Sequence, residues 1–143
     1  MNNQELSLKL FVVLSKAYKS IMDRAVKDMK RLGLSESEFT VLELLYHKGK
    51  FPLQRIGERM LVTSGGITYT IDKLEKKGLL QRVGCPDDRR VTYAEITEAG
   101  RELMDEVFPA HAAFIESMLQ HLTTEDKQTA IALIKKMGMP PEE

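Results

Sequence analysis

At 143 residues and 43% hydrophobic content, the chain is long enough to bury a core and too apolar for a disordered tail. Its 21 basic and 21 acidic residues cancel, so net charge alone neither favours nor excludes a polyanionic partner. A single cysteine excludes an internal disulfide, no apolar run nears the roughly 20 residues of a membrane span, and no signal-peptide pattern opens the chain, so a cytoplasmic protein without a membrane partner is expected.

Residues 5–31 place Leu6, Leu10, Val13, Leu14, Ala17, Ile21 and Ala25 at helical spacing, and Gly33 ends that segment. Ser35-x-x-Glu38 fits a capping box for a second helix, apolar almost all round through Phe39, Val41, Leu42, Leu44 and Leu45, and closed by Gly49. Pro52 suits a first helical turn, so a short helix is expected over 52–60 with Leu53, Ile56 and Met60 on its core face. A three-residue turn follows whose last residue, Thr63, is the N-cap, with Val62 and Ile67 as a hydrophobic staple around it. Ile67, Ile71 and Leu74 carry the buried stripe of this helix to Gly78.

After Gly78 the period changes. LLQRVG (79–84) and VTYAEI (91–96) read as strands, joined by the polar turn CPDDRR, which makes a hairpin with a basic tip. Thr97 caps a helix with Leu103, Val107, Phe114, Met118 and Leu122 along one stripe, and Pro109 is expected to kink or interrupt it. A second apolar row, Met104, Phe108, Ile115 and Leu119, suggests that this helix needs two partners, one of them a second chain. A last helix after Thr124 lines up Ile131, Ile134 and Met137. The fold class expected is mainly α with a small β-hairpin wing. It is a single domain over 1–143, with a winged helix-turn-helix core at about 35–97, the helix-turn-helix at 52–77, the wing at 79–96 and flanking helices at about 5–32 and 98–138.

Two adjacent glycines, Gly65 and Gly66, stand at the start of a helix. They do not belong to a nucleotide loop, because no Gly-Lys-Ser/Thr or Gly-x-Gly-x-x-Gly pattern surrounds them. A recognition helix explains them, since its first turn must approach phosphates and base edges closely. Thr63, Ser64, Gly65, Gly66, Thr68, Tyr69 and Lys73 are therefore candidate DNA contacts; the plainer alternative is a polar surface helix. At the hairpin tip, Asp88 can hold Arg90 extended for a minor groove while Arg89 contacts phosphate; a solvated turn with compensating charges is the alternative. The charge distribution agrees, at +3 for residues 1–50, +3 for 51–93 and −6 for 94–143.

Together, LQRIGERMLVTSGGITYTIDKLEKKGLLQR, the wing DDRRVTYAEITEAG with its Ile96, Thr97 and Gly100 close, and the bracketing helices resemble the MarR family of bacterial transcription regulators. The resemblance covers nearly the whole chain. It implies a winged-helix homodimer joined by its terminal helices, which represses transcription at pseudo-palindromic operators and lets go when a small ligand or an oxidant acts. YHKG, SGGITYTIDKLE and CPDDRRVTYAEIT are most similar to a quinone-responsive branch, which suggests an aromatic, phenolic or electrophilic signal. The competing reading is a winged helix that binds a protein and no DNA.

Cys85 opens the wing loop near Arg89 and Arg90, where cationic neighbours favour a thiolate, so it is a candidate redox or electrophile sensor. Redox-sensing members of the family usually carry that cysteine in the N-terminal helices, where this chain has none. His111 and His121 stand ten apart, which is not a helical metal pair, and neither metal nor cofactor is expected. No Ser, Cys or Thr has an evident base, so the chain does not read as an enzyme.

Overall fold

The computed structural model describes residues 1–60 and 64–138, and the side chain of Ser64 lies outside that description. The expected N-cap Thr63 and the expected staple residue Val62 also fall outside it. Helix α1 (Asn3–Arg31) opens with a capping box that sequence reading missed: the Glu5 N–H donates to Asn2 Oδ1 at 2.8 Å and the Asn2 N–H to Glu5 Oε2 at 2.9 Å. Helix α2 (Glu36–Lys48) starts at the expected Ser35–Glu38 box and buries Phe39, Val41, Leu42 and Leu45. Full burial of such side chains contributes about 1.5–3 kcal/mol each, which makes α2 the central beam of the core.

Beyond Gly49 comes a short strand, β1 (Lys50–Pro52), and then helix α3 (Leu53–Met60) and helix α4 (Ser64–Lys76). Strands β2 (Leu80–Gly84) and β3 (Thr92–Ile96) form the expected hairpin, with Leu80 opposite Ile96 and Gly84 opposite Thr92. The sheet order is β1-β3-β2, all antiparallel. Pro52 therefore ends an edge strand opposite Tyr93 instead of opening the helix. An edge position suits it, because a proline has no N–H for a second neighbour.

Helix α5 (Glu98–Leu119) runs through Pro109 without interruption, contrary to that part of the expectation. Pro109 and Asp105 are both exposed, so water can serve the Asp105 carbonyl that a proline at i+4 leaves without its helical donor. The second row of α5 also differs from expectation. Met104 is fully buried within the chain and Phe108 packs on Tyr46 and His47 of α2, so this end of the row has its partner in the same copy. Helix α6 (Thr124–Gly138) is capped by Thr123, whose Oγ1 accepts from the Asp126 N–H at 3.0 Å, and it buries none of its residues.

One junction joins the end of α4 to the start of α5. Gly78 takes φ 76° to leave the α4 segment, and its carbonyl accepts the Thr97 hydroxyl at 2.6 Å. The same hydroxyl oxygen accepts the Gly100 N–H at 3.1 Å as the N-cap of α5. A Cβ on Gly100 would overlap the Leu79 carbonyl oxygen and come within 2.9 Å of Ile96 Cγ1, and backbone cannot yield as a side-chain tip can. Gly100→Ala is therefore expected to cost about 2–4 kcal/mol of stability, read as a lowered midpoint in urea unfolding followed by circular dichroism.

Candidate nucleic-acid interface

Helix α4 is two-faced. Ile67, Thr70, Ile71 and Leu74 are buried, whereas Gly65, Gly66, Thr68, Tyr69, Asp72, Lys73 and Lys76 are exposed. Tyr69, at 68% exposure, is the large apolar side chain of the helix that stands in solvent. Among the described residues, a Cβ at Gly65 would meet nothing within 4 Å, and its φ is outside the left-handed range. The described residues therefore supply no steric or backbone reason for glycine at 65. Gly66 accepts the Thr70 hydroxyl on its carbonyl at 3.0 Å.

Two ionic clamps of opposite sign hold the flanks of α4. On one side Arg82 of β2 donates to Glu75 Oε1 at 2.5 Å and to Asp72 Oδ1 at 2.6 Å. The bond to Asp72 raises the Arg82 pKa, burial opposes it, and the Glu75 bond adds to the rise. On the other side Glu38 of α2, only 2% exposed, accepts Lys77 Nζ at 2.6 Å and lies 3.8 Å from Lys73 Nζ. Burial pushes the Glu38 carboxyl up, but the Lys77 ammonium, the Ser35 N–H and the Ser35 hydroxyl pull it below its ordinary value. Lys73, a candidate DNA contact, thus shares a buried carboxylate. Sequence reading passed over Lys76, which is exposed two turns beyond Tyr69 on the same face.

The wing tip is built around Asp88. Its carboxylate accepts Arg90 Nε and Arg90 Nη2, each at 3.1 Å, and the Arg90 backbone N–H at 3.0 Å. Those bonds hold the Asp88 carboxyl below its usual range, the guanidinium contributing most. The Arg90 side chain is nonetheless 90% exposed. Its carbonyl accepts Gln54 Nε2 from α3 at 3.2 Å, so the tip is tied back to the helix preceding α4. Arg89 is exposed, and Cys85 is half-buried with its N–H donating to the Val91 carbonyl at 3.1 Å. Basic side chains extend the surface around β1: Lys50 lies 5.1 Å from the Tyr93 ring, and Arg55 and Arg59 lie 5.2 and 5.6 Å from Phe51.

A second constellation, aromatic and away from α4, lies between α2 and α5. Phe39 stacks on His111 with centroids 4.4 Å apart, and His47 meets Phe108 edge-on at 5.2 Å. Tyr46 donates its hydroxyl to the Asp105 carboxylate, which with some burial raises the phenol pKa. His111 Nδ1 is buried and has no hydrogen-bond partner among the described residues. No group of three or more His, Cys, Asp or Glu among the described residues could hold a metal ion, and none of their helices is long and apolar enough to cross a membrane.

Comparison with known proteins agrees with this geometry. A profile described as MarR family matches residues 34–92. The chain is 52% identical over 135 residues to the HTH-type transcriptional regulator MhqR of Bacillus subtilis, covering 94% of this chain and 93% of that one. It is 28% identical to the HTH-type transcriptional repressor MdtR of the same organism, over 87% of this chain and 81% of the relative. Its fold matches a mutant MarR from E. coli complexed with operator DNA at a TM-score of 0.80, with 18% identity and coverage of 95% and 98%. These relatives are transcriptional regulators and not enzymes. The chain belongs to the MarR family of winged helix-turn-helix, DNA-binding transcriptional regulators.

Proposed function

We propose that the protein is a cytoplasmic homodimeric repressor that binds a pseudo-palindromic operator and releases it when a small aromatic, phenolic or electrophilic signal arrives. The observation that carries the operator reading is the Asp88–Arg90 lock, which keeps a solvent-exposed guanidinium extended at the wing tip. An arginine already ordered loses less conformational freedom on entering a minor groove. The start of α4 at Ser64, Gly65 and Gly66, with Thr63 next to it in the sequence as a further contact, enters the major groove, where Thr68 and Tyr69 meet base edges and Lys73 meets phosphate. Arg89 meets phosphate beside the wing. The name of the relative MdtR supports repression.

Dimerisation is supported by apolar side chains that the single chain leaves bare: Leu6, Leu10, Phe11 and Val13 on α1, with Ile131, Ile134 and Met137 on α6. Two copies about a two-fold axis would offer recognition helices to half-sites about 34 Å apart. For the signal, the rings of Phe39, Tyr46 and Phe108 with the orphan His111 Nδ1 suit a flat hydroxylated ligand. Cys85 is the covalent alternative.

Fluorescence anisotropy against DNA from upstream of the gene, with nonspecific competitor at two salt concentrations, tests the reading. The wild type should bind tightly and lose affinity as salt rises; no preference over competitor would overturn it. Arg90→Ala is expected to weaken operator binding by about 1–3 kcal/mol while sedimentation shows an intact dimer. Gly65→Val should block close approach, and normal operator affinity in that variant would remove the steric account of the glycine.

Because the folded Asp88 pKa is depressed, its contribution is present above the unfolded value and is lost as pH falls through the folded one. Wing-dependent binding should therefore be flat near neutrality and fall only below about pH 4, within the range where the protein stays folded. A phenol or quinone that dissociates the wild-type complex should also dissociate Cys85→Ser if the ring cluster is the sensor. Loss of the response in that variant would assign sensing to the thiol.

A further inference from the structure

The Glu38 clamp bears on how α4 meets DNA of any sequence. Glu38 Oε2 takes Lys77 at 2.6 Å. Oε1 already receives the Ser35 N–H at 3.1 Å, and Lys73 stands off at 3.8 Å, beyond hydrogen-bond distance. The Lys73 side chain is 45% exposed, one turn from Tyr69 on the exposed side of α4. Of the two ammonium groups, Lys73 holds the longer and weaker pair and is the easier to release. On the opposite flank, Asp72 and Glu75 are occupied by Arg82. Lys76 aside, the positive charge offered to phosphate at this end of α4, that of Lys73 and Lys77, is thus set by the carboxylate underneath it.

We propose that Glu38 is a specificity-determining residue: it keeps Lys77 off the phosphate backbone and lets Lys73 pass between Glu38 and a phosphate, which limits sequence-independent attraction to DNA. Phosphate contacts position a protein without reading sequence, whereas base contacts discriminate. A buried acid that withholds one lysine and competes for another lowers affinity for all DNA while leaving the base-reading face untouched. The operator-to-random preference rises accordingly. The inference rests on α4 being the DNA-facing helix.

The test measures affinity for a random-sequence duplex and for the operator across a KCl series, using the full-length protein. Glu38→Gln keeps an oxygen for the Ser35 N–H and removes the charge. It is expected to bind random duplex about three- to tenfold more tightly and to steepen the slope of log K against log salt by about 0.9 for each lysine released. Its operator-to-random ratio should fall. Lys77→Gln should do the opposite, because Glu38 then holds Lys73 alone: random-duplex affinity drops and the slope becomes shallower by about 0.9. A merely structural ion pair would lower affinity in both variants with the slope unchanged, and that result would overturn the proposal. Should Glu38→Gln fail to fold by circular dichroism, Lys77→Gln in a Lys73→Gln background decides: an unchanged slope supports the withholding of Lys77, and a further shallowing by about 0.9 would place Lys77 on phosphate and overturn the proposal. Absence of DNA binding by the wild type would instead overturn the assignment of α4 as the DNA-facing helix.

Discussion

Burial of Ile67, Ile71 and Leu74 is the interaction on which the rest of the nucleic-acid face depends. Three aliphatic side chains taken from water are worth about 5–8 kcal/mol as an upper estimate, set against roughly 1 kcal/mol for each of Gly65 and Gly66 at the helix start. The apolar term wins by enough that α4 stays helical with two glycines in its first turn. That surplus leaves the outward face unconstrained by stability. Gly65, Tyr69 and Lys76 stand exposed on that face and take no part in the burial that holds the helix down.

The ionic clamps do a different job. Exposed pairs of this kind contribute between zero and about 1 kcal/mol, so Arg82 with Asp72 and Glu75 adds little to stability but fixes rotation of α4 about its axis. Glu38 is another matter, because its carboxylate is buried and a buried charge needs its partner. Its location is equally telling. Glu38 faces α4, while the next residue, Phe39, stacks on His111 of α5. One turn of α2 thus touches both α4 and the aromatic cluster.

Most of the framework was legible because it is written locally. Ser35 with Glu38, Thr97, Gly78 and the hairpin around CPDDRR are signals spanning four to a dozen residues, and each stands where the spacing placed it. The Asp88–Arg90 lock was legible for the same reason, at two residues' separation. Strand β1 was not, because three residues carry no period and Pro52 reads equally well as an N1 residue or an edge proline. The partnership of Glu38 with Lys77, 39 positions apart, exists only once α2 and α4 pack. Pro109 misled because the helix rule does not show that the freed carbonyl lies at an exposed turn.

The bare helices constrain what else the molecule does. A 15-residue helix such as α6 is marginal alone in water, and α6 buries none of its residues against its own chain. Its apolar side chains need a cover, and DNA is a poor one, since residues 94–143 carry a net charge of −6. A second copy fits the apolar stripe, and its residues 1–50, at a net +3, oppose the charge, which is the ground for the dimer proposed above. In such a dimer the helices that join the copies also set the distance between the two α4 helices. The aromatic cluster sits on α5, which leads directly into α6 through residues 120–123. A ligand that binds differently to two arrangements of those rings shifts the spacing by that difference in affinity and by no more. Release of DNA then needs no contact between ligand and recognition helix, only that one spacing matches successive turns of the double helix and the other does not.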